Sequence, residues 1–252
     1  MYYIYNDISI FYEKYGNKKK NILILPGWGD TRKTFKYLIA FLKEYFTVYI
    51  IDYPGFGESP MPNKTLTIFD YSDLIYNFIN EKELDDPILI GHSFGGRIIT
   101  TLTGYFQYSF SNIIYIDSAG IKPKRKIKNI IYKLYKSIGK LLPKKLRKKY
   151  YKYIFNKFAS NDYKNLDNNM KQTFKNIINY DLKNYLKNIK SKVLIIWGEK
   201  DTSTPLKDGI YMNKKINNSE LIILKNNNHF PYLNNPYLFN SIIYEQLKEE
   251  II

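Results

Sequence analysis

Short, continuously apolar runs alternate along the chain with longer stretches in which apolar residues recur every third or fourth position. A continuous apolar run is typical of a strand buried on both faces, and the longer spacing is typical of an amphipathic helix. The apolar runs lie at residues 21–25, 47–51, 87–90, 113–116, 193–196 and 221–224. Helical spacing follows at residues 31–45, 68–80 and 94–106. This alternation predicts an α/β core with a mainly parallel sheet that is covered on both faces.

Two parts of the chain depart from this alternation of strands and helices. Runs at residues 2–4 and 8–12 flank Asn6 and Asp7 and predict an N-terminal β-hairpin. Between residues 121 and 189 helical spacing replaces the strand pattern, so we expect a core of residues 1–120 and 191–252 with a helical cap inserted at residues 121–190. Two apolar stripes define the cap: Ile127, Ile130, Ile131, Leu134, Ile138, Leu141 and Leu142, then Leu166, Met170, Phe174 and Ile177.

The composition is that of a globular protein, with 252 residues of which 44% are hydrophobic and 25% charged. No stretch reaches the roughly 18 uninterrupted apolar residues of a membrane span, and the first residues lack the pattern of a signal peptide. The chain has no cysteine, which excludes disulfides, cysteine-based zinc sites and thiol catalysis. These features favour a cytoplasmic protein.

The net charge of +16 is concentrated in the predicted cap. Residues 121–190 contain 21 Lys and Arg against 3 Asp and Glu, and the remainder is close to neutral. A face of this kind attracts an acidic carrier protein or an anionic membrane surface. The alternative is a solvated face that reflects a general bias towards lysine. Motifs for nucleic-acid recognition are missing, which argues against a nucleic-acid partner.

The strongest local signal for chemistry is the motif from Gly91 to Gly95, Gly-His-Ser-Phe-Gly, placed directly after an apolar run and before a helical stretch. Glycines on both sides allow a sharp turn that presents Ser93 at the carboxyl edge of the sheet. A serine hydroxyl needs a base to act as a nucleophile. The chain has two histidines; His92 would point away from its neighbour, so His229 in the loop after the last strand is the predicted base.

A carboxylate must in turn orient the imidazole of His229. Asp201 follows the strand at residues 193–196 and is the preferred candidate, with Asp117 and Glu199 as rivals. Two backbone N–H groups would stabilise the oxyanion that develops during acyl transfer. The predicted donors are Phe94, at the start of its helix, and Trp28, in the glycine-rich loop after the strand at residues 21–25.

With these motifs in this order, the sequence resembles the α/β-hydrolase superfamily over nearly its whole length. The matching motifs are Leu25-Pro-Gly-Trp-Gly29, Asp52-Tyr-Pro-Gly-Phe-Gly-Glu-Ser59, Gly91-His-Ser-Phe-Gly-Gly96, Gly198-Glu-Lys-Asp201 and Asn228-His229. The resemblance implies a mostly parallel eight-stranded sheet with helices on both faces, Ser-His-Asp catalysis, no cofactor, and a helical lid where residues 121–190 lie. Many members carry His-Gly where this chain has Pro26-Gly27, a difference that affects only the oxyanion loop.

The expected activity is that of a serine hydrolase that cleaves a carboxylic ester with an apolar acyl group. Leu134, Ile138, Met170 and Phe174 offer apolar surface for that group, although packing within the lid is the preferred explanation of each. The Gly-Trp-Gly loop at residues 27–29 and the Asp-x-Pro-Gly-Phe-Gly turn at residues 52–57 also resemble those of methyl-ester esterases that act on acyl groups tethered to acyl carrier protein. A thioesterase or carbon–carbon bond hydrolase would use the same triad, and a non-catalytic protein that binds a ligand or a membrane is the remaining alternative.

Overall fold

A computed structural model describes residues 1–122, 135–137, 140, 142–158, 163 and 166–251. Over these residues an eight-stranded sheet has the strand order β1-β2-β4-β3-β5-β6-β7-β8. The strands are β1 (Tyr2–Tyr5), β2 (Ile8–Tyr15), β3 (Asn21–Leu25), β4 (Thr47–Asp52), β5 (Ile88–His92), β6 (Asn112–Ile116), β7 (Lys192–Gly198) and β8 (Ser219–Leu224). Strands β3 to β8 are mutually parallel, and β1 and β2 form the antiparallel N-terminal hairpin. The predicted mostly parallel sheet is therefore confirmed.

Helices cover both faces of this sheet. They are α1 (Lys36–Leu42), α2 (Ile68–Glu81), α3 (Phe94–Thr100), α4 (Lys144–Phe158), α5 (Asn168–Asn179), α6 (Leu206–Lys215), α7 (Pro231–Asn234) and α8 (Pro236–Leu247). Leu89 of β5 packs into the core cluster under α2 and α3, whereas its neighbours Ile88 and Ile90 pack into the cluster under α1 and α8. Alternate residues of one strand thus fill two cores, as the continuous apolar runs predict. No helix in the described ranges is both long and apolar enough to cross a bilayer.

Two elements differ in detail from their predictions. The helix expected at residues 31–45 is a 3₁₀ turn from Arg32 to Phe35 followed by α1. The Arg32 backbone N–H donates to the Asp52 side chain of the neighbouring strand, which ties the first turn to the sheet instead of to a helix start. The apolar run of the last strand predicts burial, but Ile223 is 42% exposed. β8 pairs with β7 alone and lies at the edge of the sheet, so it has a neighbouring strand on one side only.

The described part of the segment between β6 and β7 is helical. α5 contains Met170, Phe174 and Ile177 of the second predicted stripe, and Met170 and Ile177 are buried. Leu166 precedes this helix, because Asp167 caps it by accepting a hydrogen bond from the Met170 N–H at 2.7 Å. In the first stripe, the positions from Ile127 to Leu134, together with Ile138 and Leu141, lie outside the described residues. The division into core and cap stays a prediction.

Contacts in the turn after β4 explain why the sequence has the motif from Asp52 to Ser59. The Asp52 carboxylate is fully buried and accepts hydrogen bonds from the Arg32 side chain at 2.5 Å and from the Glu58 N–H at 3.0 Å. Gly57 has a φ of +56°, and a Cβ there would lie 2.1 Å from a carboxylate oxygen of Asp52. The glycine is therefore required by the close approach of the backbone to this carboxylate, and the motif joins the loops that follow β3 and β4.

Candidate active site

The carboxyl ends of the central strands bring the candidate residues to one edge of the sheet. β3 lies between β4 and β5, so the chain changes direction across the sheet at this point. Ligands of open α/β sheets bind in the crevice at such a switch point. The register aligns the strand ends, with Leu25 opposite Gly91, and His92 opposite Ile116. The loops after β3, β5, β6 and β7 therefore meet here.

Ser93 occupies a strained turn between β5 and α3. Its φ of 47° and ψ of −106° are unusual for a residue with a side chain, and such strain costs about 1–3 kcal/mol. The turn is held by the Ser93 N–H, which donates to the Ile116 carbonyl at 3.0 Å. The turn can pack against the end of β3 because residue 95 is a glycine: a Cβ at this position would lie 1.9 Å from the Leu25 carbonyl oxygen. The Ser93 side chain is left half-buried at the sheet edge.

Asp201 and His229 are brought into contact. The His229 Nδ1 lies 2.7 Å from Asp201 Oδ2, and the imidazole is 16% exposed. Backbone N–H groups of Ser203 and Thr204 donate to Asp201 Oδ1 at 2.7 and 3.1 Å, and the Thr204 hydroxyl lies 2.6 Å from Oδ2. Burial raises the pKa of Asp201, but the hydrogen bonds from His229 and Thr204 outweigh it and hold the pKa at about 2. Asp201 is therefore an ionised partner for the imidazole near neutral pH.

The two rival carboxyl groups have different surroundings. Asp117 is fully buried; its Oδ1 accepts the Gly198 N–H at 2.9 Å, and its Oδ2 has no hydrogen-bond partner among the described residues. Burial raises the pKa of Asp117 to about 9, so this group is a neutral acid at pH 7. Glu199 accepts a hydrogen bond from the exposed Asn226 N–H and makes no contact with the imidazole within the described residues. These surroundings favour Asp201 as the orienting carboxylate.

Asp117, Asp201 and His229 also form a compact cluster of potential metal ligands. One ligand atom from each lies within 4.8 Å of the others. The neutral state of Asp117 and the direct bond between Asp201 and His229 leave one carboxylate already engaged with the imidazole. The donor set therefore suits an acid–base pair better than a cation.

Ser93 and His229 line the same cavity, which has a volume of about 440 Å³. Trp28, Phe174 and Ile178 provide apolar parts of its wall. No hydrogen bond joins the Ser93 hydroxyl to the imidazole in the described part of the chain. Catalytic hydrogen bonds are often long before substrate is bound, so the shared cavity is the relevant observation.

The loop after β3 lies against the nucleophile turn. The Gly95 N–H donates to the Pro26 carbonyl at 2.9 Å, and a Cβ on Gly27 would be 3.5 Å from the Ser93 Cβ. Within the described residues, neither the Trp28 N–H nor the Phe94 N–H has a hydrogen-bond acceptor. Two free donors next to Ser93 have the chemistry of an oxyanion hole.

His92 is part of the site in a way that the sequence did not indicate. Its side chain is 1% exposed, and Nε2 lies 2.8 Å from the His229 carbonyl oxygen. Burial lowers the pKa of this imidazole, so it is neutral at pH 7 and can donate from Nε2. The other nitrogen lies 3.4 Å from the Tyr232 hydroxyl, which is 3.1 Å from Asp30 Oδ2. His92 thus holds the backbone of the loop that carries His229.

Thr204 was also missed, although its spacing carried a signal. A residue three positions after an aspartate often donates its backbone N–H to that carboxylate, as Thr204 does to Asp201.

Comparisons with known proteins identify the fold and the family. A family model described as the alpha/beta hydrolase fold matches residues 20–236. The chain is 31% identical to a pimeloyl-[acyl-carrier protein] methyl ester esterase of Wigglesworthia glossinidia brevipalpis, over 92% of this chain and 95% of that protein. It is 27% identical to a putative esterase/lipase 2 of Mycoplasma genitalium, over 97% and 94% of the two chains. A crystal structure of a hydrolase from Pseudomonas aeruginosa superposes with a TM-score of 0.77 at 17% identity, covering 98% and 97%. The chain therefore belongs to the α/β-hydrolase family.

Proposed function

We propose that this α/β-hydrolase is a serine esterase that cleaves a carboxylic ester through an acyl-enzyme, with Ser93 as nucleophile, His229 as base and Asp201 as the orienting carboxylate. The observation that supports this most directly is the 2.7 Å contact between His229 Nδ1 and an ionised Asp201, in the same cavity as a strained serine. Donation from Nδ1 to the carboxylate leaves Nε2 unprotonated, which is the tautomer that a general base needs.

In the first half of the reaction, Ser93 Oγ attacks the ester carbonyl carbon while His229 Nε2 takes the hydroxyl proton. The carbonyl oxygen becomes an oxyanion and is stabilised by the N–H groups of Trp28 and Phe94, each donor being worth about 3 kcal/mol. Collapse of this intermediate breaks the bond to the alcohol oxygen, which receives the proton from His229. The alcohol leaves, and the acyl group stays bound to Ser93.

Water completes the cycle by the same steps. His229 Nε2 removes a proton from a water molecule, whose oxygen attacks the acyl carbon of the ester on Ser93. The second oxyanion occupies the same two donors, and its collapse returns the proton to Ser93 Oγ. The products are the free acid and the regenerated enzyme, and no cofactor enters the balance.

Loss of the nucleophile is the direct test. Ser93→Ala is expected to lower kcat on short p-nitrophenyl esters by at least about 10³-fold, and to abolish covalent labelling by a fluorophosphonate. Ser109→Ala, at an exposed serine away from the cavity, is the matched control and should behave as the wild type. Undiminished turnover or labelling in Ser93→Ala would remove the proposal. A parallel panel with a thioester and a vinylogous diketone decides between an esterase and the other hydrolases that use this triad.

A more specific substrate, an acyl ester on an acidic carrier protein, has support from the charge of α4. Lys145, Lys148, Lys149 and Lys152 are exposed and spaced so that they share one face of this helix. A relative carries the name of a methyl ester esterase for a carrier-bound acyl group. Such a face suits docking of an acidic carrier while the ester enters the cavity.

Charge reversal tests this docking separately from the chemistry. Lys145→Glu with Lys149→Glu should lower kcat/KM for a carrier-bound methyl ester by about tenfold and raise its KM, without changing kcat/KM for the free methyl ester. Lys18→Glu with Lys19→Glu makes the same charge change at exposed positions before β3 and serves as the control. Equal effects of the two pairs would contradict carrier docking on α4.

A further inference from the structure

Arg97 is a buried cation in the wall of the cavity that contains Ser93. It lies in α3, four residues after Ser93, and both residues line this cavity. Arg97 is 3% exposed, and Ile177 and Ile178 of α5 line the cavity with it. It is the single Lys or Arg among the described residues of the lining.

The guanidinium has little compensation from the protein. Its Nη1 donates to the Tyr180 carbonyl at 2.6 Å, at the end of α5, and no ion pair with a carboxylate is formed within the described residues. Asp181 is the acid that acts on it at a distance, but this carboxylate accepts from the backbone N–H groups of Lys122 and Lys183. Burial lowers the pKa of Arg97 to about 10, which leaves it fully charged at pH 7. Most of its five N–H donors therefore lack an acceptor in this part of the chain.

The carboxylate of Asp30, in the same cavity wall, does not neutralise this charge. Its Oδ2 lies 3.1 Å from the Tyr232 hydroxyl, and its Oδ1 accepts the Thr31 N–H at 2.9 Å. Asp201 is likewise engaged by His229. A desolvated guanidinium without a counter-ion is unfavourable unless an anion completes its surroundings.

We infer that Arg97 binds an anionic group of the substrate, a carboxylate or a phosphate, next to the ester that Ser93 attacks. This inference rests on the proposed esterase function and narrows it to esters that carry a negative charge near the scissile bond. The planar guanidinium matches both oxyacids, because two of its N–H groups can donate to two oxygens of one group. Ile177 and Ile178 line the cavity beside it, and their apolar surface lowers the local dielectric constant, which strengthens the pairing.

A purely structural role makes a different prediction. If Arg97 only joined α3 to the end of α5 through the Tyr180 carbonyl, its loss would lower kcat/KM for charged and neutral esters by the same factor. An anion-binding role changes the ratio between the two. The ratio is therefore the quantity to measure.

The substrates are the mono-p-nitrophenyl ester of glutaric acid and its neutral isostere, in which an isopropyl group replaces the terminal carboxylate. We expect the wild type to prefer the charged ester by about 10- to 100-fold in kcat/KM, the range for a hydrogen bond to a charged group. Arg97→Met should bring this ratio to about one. Arg147→Met is the control, since Arg147 also donates to backbone carbonyls but lies on α4 outside the cavity lining. A wild type without preference, or a preference retained in Arg97→Met, would overturn the inference.

Binding without turnover separates this inference from the proposed function. In the Ser93→Ala background, glutarate or inorganic phosphate should raise Tm by a few degrees, and the shift should vanish when Arg97→Met, or Arg97→Gln if the first variant does not fold, is added. The anion with the larger shift identifies the source of the charge. Failure of the wild type to hydrolyse either ester would count against the esterase function. An equal Tm shift with and without Arg97, or no Tm shift with either anion, would count against the anion site.

Discussion

The substitution Asp117→Asn, at a buried carboxyl group, is expected to stabilise the protein at neutral pH. The amide oxygen of the new side chain could still accept the Gly198 N–H, so this hydrogen bond survives the substitution. Asp201, His229 and the Tyr232 phenol are the titratable groups around this carboxyl. The Asp201 carboxylate raises the pKa of Asp117 beyond the effect of burial, which is the larger cause.

The size of the effect follows from the pKa of Asp117 in the two states. The carboxyl ionises near its ordinary value of 3.8 in the unfolded chain and near 9 in the folded protein. Between these values the folded state binds one more proton, so the free energy of unfolding falls by about 1.4 kcal/mol per pH unit as the pH rises. By pH 7 the loss amounts to about 4 kcal/mol. An asparagine side chain has no proton to lose, and the variant escapes this loss.

Urea unfolding from pH 4 to pH 9 measures the difference between variant and wild type. The two should be equally stable near pH 4, and the variant should gain steadily above it. The low pKa of Asp201 acts only at lower pH, because its contribution is lost as the pH falls from about 4 to 2. Asp85→Asn, at an exposed aspartate, should show no such slope. A variant that is less stable than the wild type at pH 8 would mean that Asp117 is ionised in the fold.

Three further substitutions probe the site and its support. Asp201→Asn should lower kcat by about 10⁴-fold on a p-nitrophenyl ester, because His229 then loses the partner that sets its tautomer. His92→Phe should lower kcat about tenfold with a stability loss of about 1 kcal/mol by thermal unfolding, because the hydrogen bond to the His229 carbonyl is lost. Gly57→Ala should lower the free energy of unfolding in urea by more than about 3 kcal/mol, because the new Cβ would clash with Asp52. Gly29→Ala is the control: this glycine also has a positive φ, but a Cβ there would lie 3.8 Å from the nearest atom, so the loss should be about 1 kcal/mol. Equal losses in the two variants would refute the clash.

The sequence could predict a mostly parallel sheet and the three candidate catalytic residues because these depend on strands and their ends. Each of Ser93, Asp201 and His229 follows an apolar run, and the ends of parallel strands meet at one edge. The choice between Asp201 and Asp117 could not be settled in this way, since both follow strands. The difference lies in the donors that surround each group, and these depend on the shape of the loop that contains Thr204.

Arg97 and β8 show why burial was harder to predict than position. The sequence places Arg97 within α3, close to Ser93 in the chain, but α5, distant in the chain, contacts it through the Tyr180 carbonyl. For β8, an apolar composition suggested a buried strand, and only the strand order shows that it lies at the edge. In both cases the missing information is which distant element packs against the residue.

The two sides of the site are held in different ways. The Ser93 N–H donates to the end of β6, and the Asp117 N–H donates to β7 at 3.0 Å, so neighbouring strands hold both turns through backbone hydrogen bonds. The loop that carries His229 is held at several points: the His229 carbonyl lies 2.8 Å from His92 Nε2, the Asn227 carbonyl accepts the Lys200 N–H at 2.8 Å, and the Asn226 N–H donates to Glu199 at 3.0 Å. The turn of Ser93 is thus fixed by the register of the sheet, whereas the loop of His229 depends on side chains as well as on the backbone. In the proposed mechanism His92 fixes the backbone of the base and Asp201 fixes its ring, so both residues determine where the imidazole lies relative to Ser93.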